Sequence, residues 1–234
     1  MCIRDRENVA GIWTRAKMRR IRDSRILGTR RVVEAIRASA HPPDVLVSSS
    51  AIGFYGESGE TELTEDSPHG TGFLAETCRE WEAEALAAEP ACRVVRARTG
   101  IVLGKRGGAL RMMLPAFRLG LGARIGSGRQ WFSWIHAGDL ASLLLFAVEN
   151  LDLRGPLNAT APWPVRNAEF TRTLARSLHR PSFLAVPAFV LRLFLGEFSR
   201  ELLDSKRVLP AAATAEGFGF QFPQIVPALA DIVA

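Results

Sequence analysis

Apolar and polar positions alternate along this chain in two rhythms. From Arg15 to Arg37, Ile21, Ile26, Leu27, Val32, Val33 and Ile36 recur at roughly helical spacing among arginines, which predicts an amphipathic helix. Pro42-Pro43 ends that unit. Val45-Leu46-Val47 then forms a short unbroken apolar run, the mark of a strand buried on both faces of a parallel sheet. Ser48-Ser49-Ser50 and the glycine-flanked pair in Gly53-Phe54-Tyr55-Gly56 follow at once. The pattern repeats downstream. Phe73–Ala88 predicts a second helix, with Leu74, Trp81 and Ala85 on one side and Glu76, Arg79, Glu80 and Glu84 on the other. Cys92–Ala97 predicts a second buried strand that ends at Arg98-Thr99-Gly100. A helix over Leu110–Leu119, a strand over Trp131–Ile135 and a helix over Leu140–Glu149 capped by Asp139 come next. Arg154–Ala159 predicts a turn and short strand.

Beyond Ala161 the alternation of strand and helix gives way to mostly helix. Asn167 is placed to cap a helix over Ala168–Leu178. Pro181 and Pro187 frame a strand, and helices over Ala188–Leu195 and Ile225–Val233 follow. The fold class expected is therefore α/β: a Rossmann-like, doubly wound parallel sheet over residues 1–160, with a small, mainly helical C-terminal lobe over 161–234.

Composition narrows the function classes. The 234 residues carry 30 basic and 24 acidic side chains, net +6, and only Lys17, Lys105 and Lys206 are lysines. The arginines are spread along the chain and mixed with acids, so a nucleic-acid partner is not expected. The basic cluster Arg15, Lys17, Arg19, Arg20, Arg22 and Arg25 reads as a solvated helix face. Cys2, Cys78 and Cys92 are odd in number and show no CxxC, which points to free thiols in a reducing, cytoplasmic setting and to no metal site. The most apolar stretch, Phe183–Leu195, is too short to span a bilayer and is interrupted by Pro187 and Arg192, so no membrane partner is expected. Gly104-Lys105-Arg106-Gly107-Gly108 has the wrong order for a Walker loop and reads as a turn. The acidic loop Glu57–Pro68 reads as capping and solvating.

Three segments carry a family resemblance: Val47–Gly56; Arg98–Leu103 with Met113–Gly122 behind it; and Gly126-Ser127-Gly128-Arg129-Gln130 with Trp134-Ile135-His136 and Asp139. With Leu153–Asn158 and Pro164–Asn167 they resemble the extended short-chain dehydrogenase/reductase superfamily. Within it the likeness is to the atypical NAD-dependent epimerase/dehydratase, or sugar nucleotide epimerase-like, branch with a C-terminal domain of unknown function. The likeness runs from about Glu7 to Val233 and implies NADP or NAD as cofactor and a small-molecule substrate. It places Ser50, or else Ser49, and Tyr55 at the catalytic position, Ser48, Ser49, Arg98, Thr99 and Gly100 beside the nicotinamide, and Arg129, Trp131 and His136 toward the substrate. A homodimer is compatible with it.

Two departures bear on activity. The family opens with a strand, a GxxGxxG turn and a helix that hold the pyrophosphate, and none precedes Ser48. Glu7–Ala10 and Trp13-Thr14 resemble the segment after the family's fourth strand, and Met1–Arg6 resembles no family sequence. The expectation is thus an N-terminal truncation of roughly sixty residues, the length of two βαβ units. Such a fragment would lack most of its dinucleotide grip and expose a sheet edge. Tyr55 is the one tyrosine, the residue four positions on is Gly59, and so no YxxxK exists in the chain. Without a lysine partner a phenol titrates near about 10 and is a poor base at neutral pH. Two readings stand: an NAD(P)-dependent oxidoreductase or epimerase-like protein acting on a nucleotide-sugar-like or other small carbonyl or hydroxyl substrate, or a non-catalytic dinucleotide-binding sensor or scaffold.

Overall fold

A computed structural model describes residues 11–105 and 107–234. Met1–Arg6, Glu7–Ala10, Cys2 and Arg106, on which expectations were placed, lie outside the described residues.

Helix α1 (Arg15–Ala38) begins where Thr14 accepts the Lys17 N–H at its Oγ1, and it buries Ile21, Ile26, Thr29 and Val33. Leu27, expected on the buried stripe, is 44% exposed instead. Strand β1 (Val45–Ala51) runs on through all three serines rather than stopping at Val47. A 3-10 turn (Ile52–Tyr55) follows, then the two-residue strand β2 (Glu62–Leu63) and helix α2 (Phe73–Leu86). Strand β3 (Arg93–Thr99) pairs in parallel with β1, Ser50 opposite Arg98 and Ala51 opposite Thr99. After β4 (Ile101–Gly104) come α3 (Gly108–Arg118), β5 (Ala123–Ile125), β6 (Trp131–Phe132), β7 (Trp134–His136), α4 (Ala137–Glu149) and β8 (Gly155–Ala159). Strand β8 is the parallel neighbour of β3 on its other side, and β4 pairs in parallel with β7.

Residues 161–234 comprise β9 (Val165–Arg166), α5 (Asn167–Ser177), β10 (Leu184–Val186), α6 (Ala188–Leu195), α7 (Phe198–Leu203), β11 (Arg207–Val208), α8 (Ala211–Ala215) and α9 (Ile225–Val233). Three of their strands return to the first part of the chain: β9 to β6, β10 to β5 and β11 to β2.

Strand periodicity builds the layers. Leu46 and Val94 face one way and pack with Val33, Ala85 and Ala88 of the α1–α2 layer. Val45, Val47 and Val95 face the other way, against Leu143 and Ala147 of α4 and Ala213 of α8. Helices on both faces of a parallel sheet make the three-layer α/β arrangement that the strand pattern predicts. A larger cluster, with Leu103, Leu110 and Trp134 against Phe170, Leu174 and Leu229, carries one continuous core across residue 160.

Two expected caps are different. Helix α4 starts three residues earlier than expected, and its N-cap is His136, whose Nδ1 accepts the Gly138 N–H at 3.1 Å. Asp139 lies inside the first turn and accepts instead from the backbone N–H groups of Gln221 and Phe222, both at 2.9 Å. Asn167 likewise sits inside α5, where its Oδ1 accepts the Ile125 N–H at 2.9 Å. Both side chains bond to distant backbone, a demand that neighbouring residues do not reveal. Strand Trp131–Ile135 is broken at Ser133, whose Oγ donates to the Lys206 carbonyl and accepts from the Val208 N–H.

Candidate functional site

The parallel register fixes the chemistry at the end of β1. Ser48 and Ser50 share the α2 face with Arg96 and Arg98, while Ser49 is exposed on the other. Into that face α2 sends Glu82, which is 4% exposed. The Ser50 Oγ donates to Glu82 Oε1 at 2.7 Å. Arg98 grips the same carboxylate through Nε and Nη2, each at 2.9 Å, and Arg96 adds a third guanidinium contact at 3.2 Å. The remaining Arg98 nitrogen, Nη1, donates to the Tyr55 hydroxyl at 2.9 Å and to the Glu65 carbonyl at 3.2 Å. Its guanidinium carbon lies 3.6 Å from the Phe54 ring centroid. Tyr55 donates in turn to Asn158 Oδ1 at 2.7 Å. Asn158 closes the chain by donating its backbone N–H to Glu65 and its Nδ2 to the Leu209 carbonyl.

This network is buried and largely satisfied. Burial pushes the Tyr55 phenol above its ordinary value, against the pull of Arg98. Burial favours loss of charge on Arg98, but the Glu82 carboxylate and the Tyr55 hydroxyl outweigh it and hold the guanidinium charged. Arg96 is shifted downward, by burial first. Glu65 Oε2 is buried with no partner.

Beside the network lies a cavity of about 310 Å3, lined by Trp13, Gly53, Gly56, Glu57, Thr71–Ala75, Glu197, Arg200, Glu201 and Asp204. It sits past the carboxyl end of β1, between the 3-10 turn, the start of α2 and the α7 region. Gly56 lines it, and Gly70 packs behind that turn. Gly56 has φ +62°, and Gly70 approaches the chain so closely that a Cβ there would lie 2.1 Å from the Tyr55 carbonyl oxygen. Trp13 stacks edge-on against Phe73 and tilts against Phe198, which ties the wall of the cavity to α7. The acidic loop reaches the C-terminal part of the chain: Glu57 accepts the Ser205 N–H and Glu62 pairs with Arg207 at 2.9 Å, while Glu201 and Asp204 flank the buried Lys206 ammonium at 3.2 and 3.5 Å.

The residues expected from sequence divide into four places, and none lines this cavity. Ser50, Tyr55 and Arg98 come together in the buried network. Ser48 is buried beside them, whereas Ser49 is exposed at the same strand end. Thr99 donates to its own strand, and Gly100 is held by packing, since a Cβ there would lie 2.9 Å from both the Ser133 oxygen and Thr160 Cγ2. Arg129 and Trp131 sit with Glu60 and Arg166: Trp131 donates to Glu60 at 3.1 Å under the Arg166 guanidinium. Arg166 and Trp131 hold the Glu60 carboxyl down at about 2. His136 caps α4, stacks on Phe222 at 4.1 Å and lies 3.4 Å from Asp231. Glu82 and Asn158 were not anticipated. A signal for Glu82 exists: it falls on the stripe Ala75, Cys78, Glu82, Ala85 that α2 buries.

The donor set of the cavity suits part of a dinucleotide. Four carboxylates against Arg200 repel a pyrophosphate but accept from hydroxyls and an amide, as a nicotinamide ribose presents. Trp13 and Phe73 offer an apolar wall to a flat ring. Among the described residues no group of three or more His, Cys, Asp or Glu side chains could hold a metal ion, and no helix is long and apolar enough to cross a membrane.

Residues 10–158 match the NAD dependent epimerase/dehydratase family, and residues 186–232 match a domain of unknown function, DUF1731. The chain is 44% identical to the chloroplastic epimerase family protein SDR39U1 homolog of Arabidopsis thaliana over 97% of its own length and 67% of the relative's. It is 40% identical to epimerase family protein YfhF of Bacillus subtilis over 97% and 76%. Among solved structures, human epimerase family protein SDR39U1 with NADPH superposes with a TM-score of 0.91 at 36% identity, covering 97% of this chain and 78% of that one. A nucleoside-diphosphate sugar epimerase from Corynebacterium glutamicum follows at 0.77 and 34%, covering 95% and 44%. The strand pattern, the network at the end of β1 and these likenesses converge: the chain belongs to the NAD dependent epimerase/dehydratase family, in the branch that carries the C-terminal domain of unknown function.

Proposed function

We propose that this chain binds NADP or NAD with the nicotinamide–ribose end in the 310 Å3 cavity, and acts as an oxidoreductase- or epimerase-like protein on a small carbonyl or hydroxyl substrate of nucleotide-sugar type. The observation that carries the reading is the place of that cavity past the carboxyl end of β1, where open parallel sheets take ligands. The NADPH in the human relative supports the choice of cofactor. The bound dinucleotide would supply hydride chemistry. The chain's own part is to receive and orient. Trp13 and Phe73 flank the ring, Glu57 and Asp204 accept from ribose hydroxyls, and Ser49 stands exposed at the strand end within reach of a ligand. Ser50, Tyr55 and Arg98 serve as positioning residues that brace the end of β1 from behind. Residues 1–160 then form the dinucleotide part and 161–234 the lobe that closes on the substrate, in a protein of the cytoplasm.

One observation favours the second reading, a non-catalytic dinucleotide-binding sensor or scaffold. The Tyr55 proton is committed to Asn158, and its oxygen to Arg98. Hydrogen–deuterium exchange with and without NADPH tests the cavity. The reading predicts protection of residues 53–57 and 71–75; unchanged exchange there at saturating NADPH contradicts it. Turnover of a sugar nucleotide with NADPH then separates the enzyme from the scaffold.

A further inference from the structure

The C-terminal lobe presents an apolar face that no described residue covers. Helix α6 is almost wholly apolar, and none of its residues is buried. Phe189, Leu193 and Phe194 are 70%, 77% and 67% exposed. The face continues onto the β5–β10 ribbon. Ala185 pairs with Arg124 on its outer side, and Phe183, two residues before Ala185, points the same way and is 80% exposed. It continues again into the turn after α3, where Leu119 and Leu121 are 75% and 58% exposed and a Cβ at Gly120 would lie 3.7 Å from the Pro181 ring. Six large apolar side chains projecting from adjoining elements mark an interaction surface.

Charge identifies the partner. Between Thr99 and Asp139 the chain carries six basic residues and no acidic one; between Asp152 and Glu197 it carries six basic residues and Glu169 alone. Four of these arginines, Arg118, Arg124, Arg180 and Arg192, are exposed on the elements that carry the patch. Among the described residues none of the four has an ion-pair partner. A twofold contact between copies would set these arginines against their own symmetry mates, which disfavours self-association. Exposed phenylalanine and leucine on a short helix, rimmed by arginine, are what an anionic lipid surface receives: rings enter the headgroup boundary and guanidiniums stay with the phosphates.

We propose that the face formed by α6, the β5–β10 ribbon and the turn after α3 docks this protein reversibly on an anionic phospholipid bilayer. This goes beyond the sequence-based expectation of no membrane partner, which addressed only spanning segments. The contact is peripheral, and α6 lies in the plane of the interface.

Co-sedimentation with phosphatidylcholine vesicles, with and without phosphatidylglycerol, tests it. The native chain is expected to bind the phosphatidylglycerol vesicles and to be released by raised salt. Each arginine near the surface is expected to raise partitioning about fivefold, so Arg192→Glu and Arg180→Glu lower it more than additive noise allows. The pair Phe189→Ser and Leu193→Ser is expected to lower it about tenfold or more. These side chains are exposed, and an unchanged circular dichroism spectrum verifies the fold. Absence of binding by the native chain, or equal binding to both vesicle types, overturns the proposal. So does a concentration-dependent dimer that Phe189→Ser dissolves, because the face would then belong to a second copy.

Discussion

Arg98 and Glu82 form a bidentate ion pair, with both N···O distances at 2.9 Å and both side chains 4% exposed. The pair joins β3 to α2 beside the end of β1. Removing one partner strands a buried charge. Glu82→Leu is expected to destabilise the fold by about 3–5 kcal/mol, because two guanidiniums then share the site unpaired. Glu82→Leu combined with Arg98→Met removes both charges and is expected to cost much less than the sum of the single changes. Urea denaturation of the four proteins in a double-mutant cycle measures the coupling. Additive effects would mean that the pair is not a unit.

Alkaline pH loosens the same region. Burial pushes the Cys78 thiol up to about 12 from an ordinary 9. Its folded pKa is thus raised, so between pH 9 and 12 the unfolded chain has lost a proton that the folded one keeps. Stability is present below 9 and declines as pH rises through that window. Burial raises the Tyr55 phenol above its ordinary 10 as well and adds to the decline from that pH upward. Urea midpoints across this range are expected to fall, and Cys78→Ala is expected to flatten the slope between 9 and 12. An unchanged slope would assign the alkaline sensitivity elsewhere. The buried Cys78 thiol is also expected to resist alkylation in the folded chain, while the half-buried Cys92 reacts sooner.

Gly100 tests how far the family motif reflects packing. A methyl group there would meet the Ser133 oxygen and Thr160 Cγ2 at 2.9 Å, between β3 and β4. Gly100→Ala is expected to destabilise by about 1–3 kcal/mol through overpacking. Thermal unfolding with and without NADPH reads it. A stable variant that has lost NADPH affinity would instead give the glycine a direct part in binding.

The residues that predict the fold well are those whose environment is local. Helices Ala188–Leu195 and Ile225–Val233 lie where their apolar runs and flanking prolines place them. The serines after Val47 read as loop because serine is a turn residue. Yet Ser48 and Ser50 are buried and Ser49 is exposed, the period of two that a strand requires. Glu82 falls on the stripe that α2 buries, but its partners, Ser50, Arg96 and Arg98, lie on other elements and no local pattern reveals them. His136 takes the capping role expected of Asp139, whose backbone partners lie more than eighty residues away. The family motifs fall at the end of β1, but they do not separate the residues of the buried network from those that line the cavity.

Parallel NADPH titrations of the native chain, Tyr55→Phe and Thr71→Trp, followed by fluorescence energy transfer from tryptophan, test the account most directly. Thr71 is exposed at the cavity mouth, so a tryptophan there occludes the space without disturbing the core. Binding by the native chain, with Tyr55→Phe within about twofold and Thr71→Trp weakened about tenfold or more, is the predicted result, a difference of about 1.4 kcal/mol per tenfold step. Full binding by Thr71→Trp with loss in Tyr55→Phe would contradict it and move the cofactor from the cavity to the buried network.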